Sequence, residues 1–201
     1  ILTGLMRLRQ ICDTPALFME DYHGDSGKLE SLLELLEQIQ TGSHRVLIFS
    51  QFRGMLDIIE KELKKMKMEA FKITGSTPAK ERQEMTNAFN NGEGDAFLIS
   101  LKAGGVGLNL TGADTVILVD LWWNPAVESQ AIGRAHRMGQ ERNVEVYRLI
   151  TRGTIEEKIQ ELQESKRHLV STILDGTESR SSLTVAEIRE ILGISTETLE
   201  K

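Results

Sequence analysis

The sequence predicts an α/β protein with one open, mostly parallel β-sheet and helices on both of its faces. Short apolar runs of strand length alternate with amphipathic stretches of helix length along most of the 201 residues. The segments that connect them are short, and the apolar runs are nearly continuous. Continuous apolar strands are typical of parallel sheets that helices cover on both sides. The length suits one domain with a full core.

Two helices are predicted before the first strand. Apolar residues at helical spacing open the chain, and Pro15 ends that pattern. A polar turn then leads into KLESLLELLEQIQTG, whose leucines and isoleucine repeat every three to four residues on one side. Gly42 follows this helix and is expected to lie at its C-terminal cap.

Five strands and four further helices alternate after this point. The strands are predicted at 45–50, 69–73, 95–100, 114–120 and 143–150. The helices are predicted at 52–66, 78–91, 124–137 and 154–174. Thr154, with Glu157 three residues later, forms the pattern of a capping box at the start of the last helix.

The order of elements also predicts the domain organisation. Residues 1–176 are expected to form one domain, with N-terminal helices over 1–43, a core over 44–152 and the long helix over 153–176. Residues 177–201 are expected to form a polar, loosely attached tail with one short helix. Because the chain starts at Ile1 inside a helix-like run, we expect it to be part of a longer protein.

Composition excludes several classes of protein. A formal net charge of -6 is not that of a generally basic nucleic-acid binder, so any such contact must come from a local basic face. The single cysteine excludes an internal disulfide, and none of the four histidines has a metal-ligand partner at a suitable spacing. We therefore expect no bound metal. No apolar run is long enough to span a membrane, so no membrane partner is expected either.

Ligands of open parallel sheets gather at the carboxyl ends of the strands. The residues that follow the predicted strands there are 50–53, 74–77, 100–105 and 120–125. They supply hydroxyls, amides, two cations and several glycines, a composition that suits a surface gripping a phosphate backbone. The glycine-rich stretch AGGVGLNL fits either a phosphate-facing loop or a tight turn, and the residues alone do not decide between them.

The stretch QAIGRAHRMGQ carries the strongest candidate site. Arg134 and Arg137 lie three apart on a predicted helix and are expected to share a face. The pair fits either a solvated basic face, with Glu128 or Glu141 as partners, or a phosphate site. The nearby glycines favour the phosphate site, since an ordinary exposed helix gains nothing from them.

The phosphate loop GxxxxGK[ST] does not occur, and no Asp-Glu pair follows an apolar strand to hold magnesium. The chain alone is therefore not expected to hydrolyse ATP. It could supply arginines to a nucleotide held elsewhere.

Four segments carry a family resemblance: LRQICDTPALF, SQF, SLKAGGVGLNL and DLWWNPAVESQAIGRAHRMGQ. Together they closely resemble the second motor lobe of Swi/Snf-type DNA translocases, which belong to helicase superfamily two. The resemblance covers residues 5 to 175, and the SLKAGG form is more similar to bacterial and archaeal members than to eukaryotic ones. It implies a RecA-like fold whose long C-terminal helix acts as a brace.

The resemblance also implies roles for individual residues. Arg134 and Arg137 match the two arginines that reach the γ-phosphate of ATP across a cleft between two lobes. Gln130 matches the glutamine that opens the motif of these two arginines at the nucleotide site. Gly105 and Gly107 match the glycine-rich motif that couples the nucleotide to the DNA-binding edge. The residues that match the DNA-tracking surface are Ser50, Gln51, Ser76, Ser100, Lys102 and Trp123. Trp122 is expected to serve packing instead.

The function implied by the resemblance is that of one lobe of an ATP-dependent double-stranded-DNA translocase. ATP and Mg²⁺ would bind only when the first lobe is present, and the chain by itself would be an inactive monomer. The implied partners are double-stranded DNA and the first lobe. Alternatives are a lobe of an RNA-polymerase-recycling or RNA-acting motor, or a non-catalytic nucleic-acid-binding scaffold. The expected location is the cytoplasm, with the nucleoid, in a prokaryote and the nucleus in a eukaryote.

Overall fold

The computed structural model describes residues 2–19, 21–101, 107–172 and 184–193. Its strands are β1 (Val46–Ser50), β2 (Ala70–Ile73), β3 (Ala96–Ser100), β4 (Thr115–Leu118) and β5 (Glu145–Arg148). Its helices are α1 (Leu2–Asp13), α2 (Gly27–Thr41), α3 (Arg53–Lys65), α4 (Ala79–Asn90), α5 (Pro125–Ile132), α6 (Ile155–Thr172) and α7 (Val185–Leu192). A short 3-10 turn, Pro15–Leu17, follows α1.

The five strands form one parallel sheet in the order β2-β3-β1-β4-β5. In the centre, Val46 to Ser50 pair in register with Ala96 to Ser100, so that Ser50 and Ser100 end side by side. The predicted α/β class and the mostly parallel sheet are thus confirmed. Each observed strand lies within its predicted range. For β1, β3 and β4 the reason is that continuous apolar runs mark strands covered on both faces, whereas β5 at the sheet edge is largely exposed.

Alternate strand residues face two separate cores, as the period of two in a β-strand requires. On one face, Val46 and Ile48 pack against α2 and α3 through residues such as Leu36 and Ile59. On the other face, Leu47 and Phe49 pack in a cluster with residues from α4, from α5 and from the segment 108–113. Helices on both faces of a parallel sheet form the three-layer arrangement that the sequence predicts.

A third apolar cluster joins the two ends of the chain. Leu5 of α1 packs with Leu121, Trp123 and the α6 residues Ile159 and Leu162. The tail helix α7 adds buried Ile191 to this cluster, and a capping box between Thr184 and Glu187 starts the helix. The expected loose attachment of the tail is therefore wrong for residues 185–192.

One helix differs from its prediction at a place that matters for the site. The predicted helix over 124–137 ends at Ile132, where Gly133 takes the C-terminal cap position. Its N-terminus is as expected, because Asn124 caps it by accepting a hydrogen bond of 2.9 Å from the Ala126 N–H. Pro125 occupies its first turn. In the part of the chain that the structure describes, no helix is long and apolar enough to cross a membrane.

Candidate functional site

The two candidate arginines lie on the turn that follows α5, which we name the arginine turn and define as residues 133–140. Arg134 is only 6% exposed, whereas Arg137 is exposed. The backbone leaves helical geometry after Ile132, and Arg137 Nε donates back to the Gly133 carbonyl at 3.0 Å. The expectation that the two arginines share a helix face is therefore wrong.

Arg134 lies against the second half of the glycine-rich stretch, residues 107–110. A Cβ added to Gly107 would lie 3.8 Å from Arg134 Nη1, and the Leu110 N–H donates to the Arg134 carbonyl at 2.9 Å. Burial lowers the pKa of Arg134, and the charge of Arg137 lowers it further. The two guanidinium groups are thus close enough to repel each other. A bound anion would relieve this repulsion.

Gln140 anchors the far end of the arginine turn and was not identified from the sequence. Its side-chain amide donates to the carbonyls of Thr111 (3.2 Å), Ala113 (2.7 Å) and Ala135 (3.2 Å). Its oxygen accepts from the Arg142 N–H at 2.9 Å. One side chain therefore ties the turn to the loop before β4. The glutamine after Gly139 in the motif was the available signal.

The predicted coupling residues are only partly in contact with the arginine turn. Gly107 lies beside Arg134, as described above, while Gln130 is exposed on α5. Gly105 and the candidate DNA-binding residue Lys102 lie outside the described residues. Their roles stay predictions.

At the carboxyl edge of the sheet, the predicted DNA-tracking residues are largely buried. Ser50 donates to Asp120 Oδ2 at 2.5 Å, and the Gln51 amide donates to Asp120 Oδ1 at 2.6 Å. Both side chains are buried, as is that of Ser100. Asp120 engages the first two side chains, and the third is covered by burial. Contact of these three residues with DNA stays a prediction.

Trp123, which the resemblance places on the DNA-tracking surface, is only 8% exposed and packs in the third apolar cluster. Its contact with DNA stays a prediction. The guanidinium of buried Arg9 stacks over the Trp123 ring at 4.3 Å from the centroid. Arg9 also donates to Gln51 Oε1 at 2.7 Å and to the Leu121 carbonyl. Trp122 packs partly buried against the second core, as expected of a packing residue.

The surface of this edge is formed by other side chains. Arg53, the first residue of α3, is exposed beside buried Phe52. Ser76 is exposed, and its hydroxyl shares a hydrogen bond of 2.9 Å with that of Thr74. Arg82 supports this turn by donating to the Thr77 carbonyl at 2.7 Å. Arg53 and Ser76 are thus the edge residues that a phosphate backbone could reach.

A buried ionic cluster lies below this edge. Lys28 Nζ donates to Asp13 Oδ1 at 2.9 Å and to the Val119 carbonyl at 2.9 Å. It also donates to Glu156 Oε1 of α6 at 2.5 Å. Burial alone would lower the pKa of Lys28, but the carboxylates of Asp13 and Glu156 raise it above its ordinary value. Within the described ranges, no three His, Cys, Asp or Glu side chains are grouped so as to hold a metal ion.

Comparisons with known proteins show which family the chain belongs to. Residues 27–139, more than half of the chain, match the model of the helicase conserved C-terminal domain. YwqA of Bacillus subtilis, by name an ATP-dependent helicase/translocase, is 43% identical over 97% of this chain. The SWI/SNF-related regulator of chromatin subfamily A member 1 of Mus musculus is 44% identical over 87% of it. The chain spans 22% and 18% of these two relatives, about a fifth of their length.

Solved structures show the same likeness. The Sulfolobus solfataricus SWI2/SNF2 ATPase core in complex with double-stranded DNA superposes with a TM-score of 0.75 and 37% identity, covering 95% of this chain and 41% of that one. A second structure, of the Sulfolobus solfataricus SWI2/SNF2 ATPase core domain, superposes with a TM-score of 0.73 and 36% identity, covering 94% of this chain and 40% of that one. The chain belongs to the helicase conserved C-terminal domain family, among relatives of the Swi2/Snf2 type.

Proposed function

We propose that this chain is the second motor lobe of an ATP-dependent double-stranded-DNA translocase, and that its arginine turn acts on ATP held by a first lobe. The observation that carries the proposal is the arginine turn itself. It presents exposed Arg137 and places Arg134 beside Gly107. The motif of a phosphate loop does not occur in the sequence, so the nucleotide would be held by another part of the protein.

The relatives support the nucleotide and the polymer. The Bacillus subtilis relative is ATP-dependent by name, and the Sulfolobus solfataricus neighbour was solved with double-stranded DNA. Because this chain spans only about a fifth of its relatives' length, the first lobe would be encoded by the part of such proteins that lies outside the match.

The residues of the arginine turn fit a phosphate group. Both arginines carry permanent charge, and their planar forks match phosphate oxygens in geometry. Burial and mutual repulsion lower the pKa of Arg134, so a phosphate between the two groups would offset both effects. ATP would supply the phosphoryl group that is transferred to water, with Mg²⁺ held by the first lobe. Arg137 would then stabilise the negative charge that develops on that group.

The carboxyl edge of the sheet would carry the DNA contact. Exposed Arg53 and exposed Ser76 would meet phosphates. The buried residues Ser50 and Gln51, held by Asp120, would stabilise the packing of this edge.

The decisive experiment replaces Arg137 by alanine in the full-length protein. DNA-stimulated ATP hydrolysis should fall by about 10³-fold or more, since arginine fingers contribute 10³–10⁵ to the rate of comparable reactions. Binding of duplex DNA should stay within about twofold. Arg152→Ala, a change at an exposed arginine before α6, serves as the control and should retain full turnover. Turnover retained by Arg137→Ala would reject the proposal.

The isolated chain provides a second test. A clean preparation of residues 1–201 should show no ATP hydrolysis, because the phosphate loop motif does not occur in it. Substantial hydrolysis would contradict the assignment of ATP binding to another lobe. Comparing stimulation of the full-length enzyme by duplex DNA and by RNA separates a DNA translocase from an RNA-acting motor.

A further inference from the structure

We propose that Gln163 of α6 is a positioning residue for the arginine turn, acting through Glu128 of α5. The inference rests on the proposed function of Arg134 and Arg137 and adds to it a link between the long C-terminal helix and those two groups. The sequence predicts no role in the site for Gln163, and it suggests Glu128 only as a possible partner of the arginines on a solvated basic face.

Glu128 is the junction of the link. It lies on α5, five residues before the arginine turn, and is 1% exposed. Its Oε1 accepts from the Trp122 N–H at 3.1 Å and from Gln163 Nε2 at 2.5 Å. Its Oε2 accepts from Arg148 Nε of β5 at 3.1 Å. The carboxylate therefore fixes α5 to the loop after β4, to the edge strand and to α6 at once.

Gln163 closes this arrangement. Its side chain is buried, and its amide donates both to Glu128 and to the Trp122 carbonyl. Trp122 thus donates through its N–H to Glu128 and accepts through its carbonyl from Gln163. The two bonds set the position of α5 relative to α6. Trp122 precedes Trp123, so the link also reaches the residues beside the carboxyl edge of the sheet.

The attachment of α6 does not depend on Gln163. Ile159 and Leu162 already bury the helix in the third apolar cluster, and Glu156 binds Lys28 in the interior. A further buried amide adds little to such an attachment, because its desolvation offsets most of its hydrogen-bond energy. The amide instead fixes the orientation of α5 relative to α6, because hydrogen bonds are sensitive to angle whereas apolar contacts are not.

The orientation of α5 depends on such a contact more than that of the other helices around the sheet. It has only eight residues, and helices of that length depend on tertiary contacts for their stability. Its last residue, Ile132, leads directly into the arginine turn. A small rotation of α5 at Glu128 would therefore displace the Arg137 guanidinium. Displacements of about 1 Å can lower a catalytic rate by about 10²-fold.

The test compares Gln163→Met with Gln160→Met in the full-length protein. Methionine keeps the volume of the side chain and removes both hydrogen bonds, and Gln160 is a less buried glutamine one turn earlier on the same helix. We expect the kcat of DNA-stimulated ATP hydrolysis to fall at least about tenfold for Gln163→Met, with the KM for ATP within about twofold. Gln160→Met should match the parent protein. Rates are normalised to the folded fraction, measured by the unfolding transition of each preparation.

A second variant keeps the proposal testable if the first folds poorly. Gln163→Glu places two carboxyl groups at hydrogen-bond distance, so the pair at positions 128 and 163 binds a proton more tightly than either group alone. Arg148 Nε, which donates to Glu128 Oε2 at 3.1 Å, is a charged group that faces this pair. As the pH falls, the shared proton restores the bond, and kcat relative to the parent protein should recover. A fixed deficit at every pH would count against positioning through this bond.

The outcomes separate the two proposals. If Gln163→Met lowers only the unfolding midpoint and leaves kcat unchanged, Gln163 is a structural residue and the inference is overturned. If Arg137→Ala retains turnover, the arginine turn itself is not the catalytic element, and the proposed function fails first. Loss of turnover in Arg137→Ala together with the kcat effect in Gln163→Met supports both.

Discussion

Lys28 Nζ lies 2.5 Å from the carboxylate of Glu156, although 128 positions separate the two residues along the chain. The pair joins the first turn of α2 to the first turn of α6, and both side chains are buried. Asp13 completes the group from the end of α1, at 2.9 Å. Three helices that flank the sheet are therefore held to one ammonium group in the protein interior.

Replacing Lys28 by methionine should destabilise the fold strongly. The change leaves the Glu156 carboxylate buried without its cation, and breaking a buried pair in this way typically costs about 3–5 kcal/mol. Urea denaturation of the chain measures the loss as a lower transition midpoint at constant slope. Lys61→Met, at an exposed position of α3, is the control and should change the free energy of unfolding by less than about 0.5 kcal/mol. Equal effects of the two changes would show that the Lys28 pair contributes nothing specific.

The free energy of unfolding is expected to depend on pH through Asp13. Burial raises the pKa of Asp13 well above its ordinary value, the charge of Asp120 raises it further, and Lys28 only partly opposes the shift. A carboxyl with a raised pKa in the folded state binds its proton more tightly there. Its favourable contribution is present below about pH 4, the unfolded value, and is lost as the pH rises through the folded pKa. Asp13→Asn keeps a neutral side chain at every pH and avoids this loss.

The stability of Asp13→Asn relative to the parent chain should therefore increase as the pH rises from about 4 towards neutrality. Urea denaturation at a series of pH values measures the difference in the free energy of unfolding. Asp21→Asn, at an exposed aspartate, should give a flat difference over the same range. A flat difference for Asp13→Asn as well would show that Asp13 is ionised in the folded chain.

The strands and the sheet could be predicted because their signal is local. Continuous apolar runs such as Val46 to Ser50 can be buried only in the middle of a covered sheet. The end of α5 was predicted five residues too late, because Ala135 and His136 continue a pattern compatible with a helix. Only Gly133 signals the termination, and a single glycine is an ambiguous sign within a helical pattern.

The position of the site was predictable, but the exposure of its residues was not. The motif residues at 50–51 and 123 do lie at the carboxyl edge of the sheet. Their burial depends on Arg9, which approaches Gln51 from 42 positions away and stacks on Trp123. No periodicity of the sequence reports such a long-range partner. The same holds for Gln163, which reaches Glu128 across 35 positions.

The different burial of the two arginines leads to another prediction. Arg137→Ala should leave the free energy of unfolding within about 0.5 kcal/mol, since the side chain is exposed. Arg134→Ala should cost about 2–3 kcal/mol, because it leaves a void beside the second apolar core. Thermal unfolding of both variants under the same conditions checks the difference. If Arg137→Ala lowered the free energy of unfolding and Arg134→Ala did not, Arg137 rather than Arg134 would be the buried side chain.

The contact with DNA should depend on Arg53 more than on its buried neighbours. Arg53 is exposed at the start of α3, at the carboxyl edge of the sheet. If it meets a phosphate, Arg53→Ala in the full-length protein should weaken binding of duplex DNA irrespective of sequence. It should also reduce the slope of log K against log salt concentration by about 1.

Gln51→Ala is the matched comparison, because it removes hydrogen bonds to Arg9 and Asp120 and should lower stability while leaving the salt slope unchanged. Fluorescence anisotropy of a labelled duplex, titrated at several salt concentrations, measures the slope. An unchanged slope for Arg53→Ala would remove this side chain from the DNA-binding surface, and a reduced slope for Gln51→Ala would mean that Gln51 reorients on the duplex.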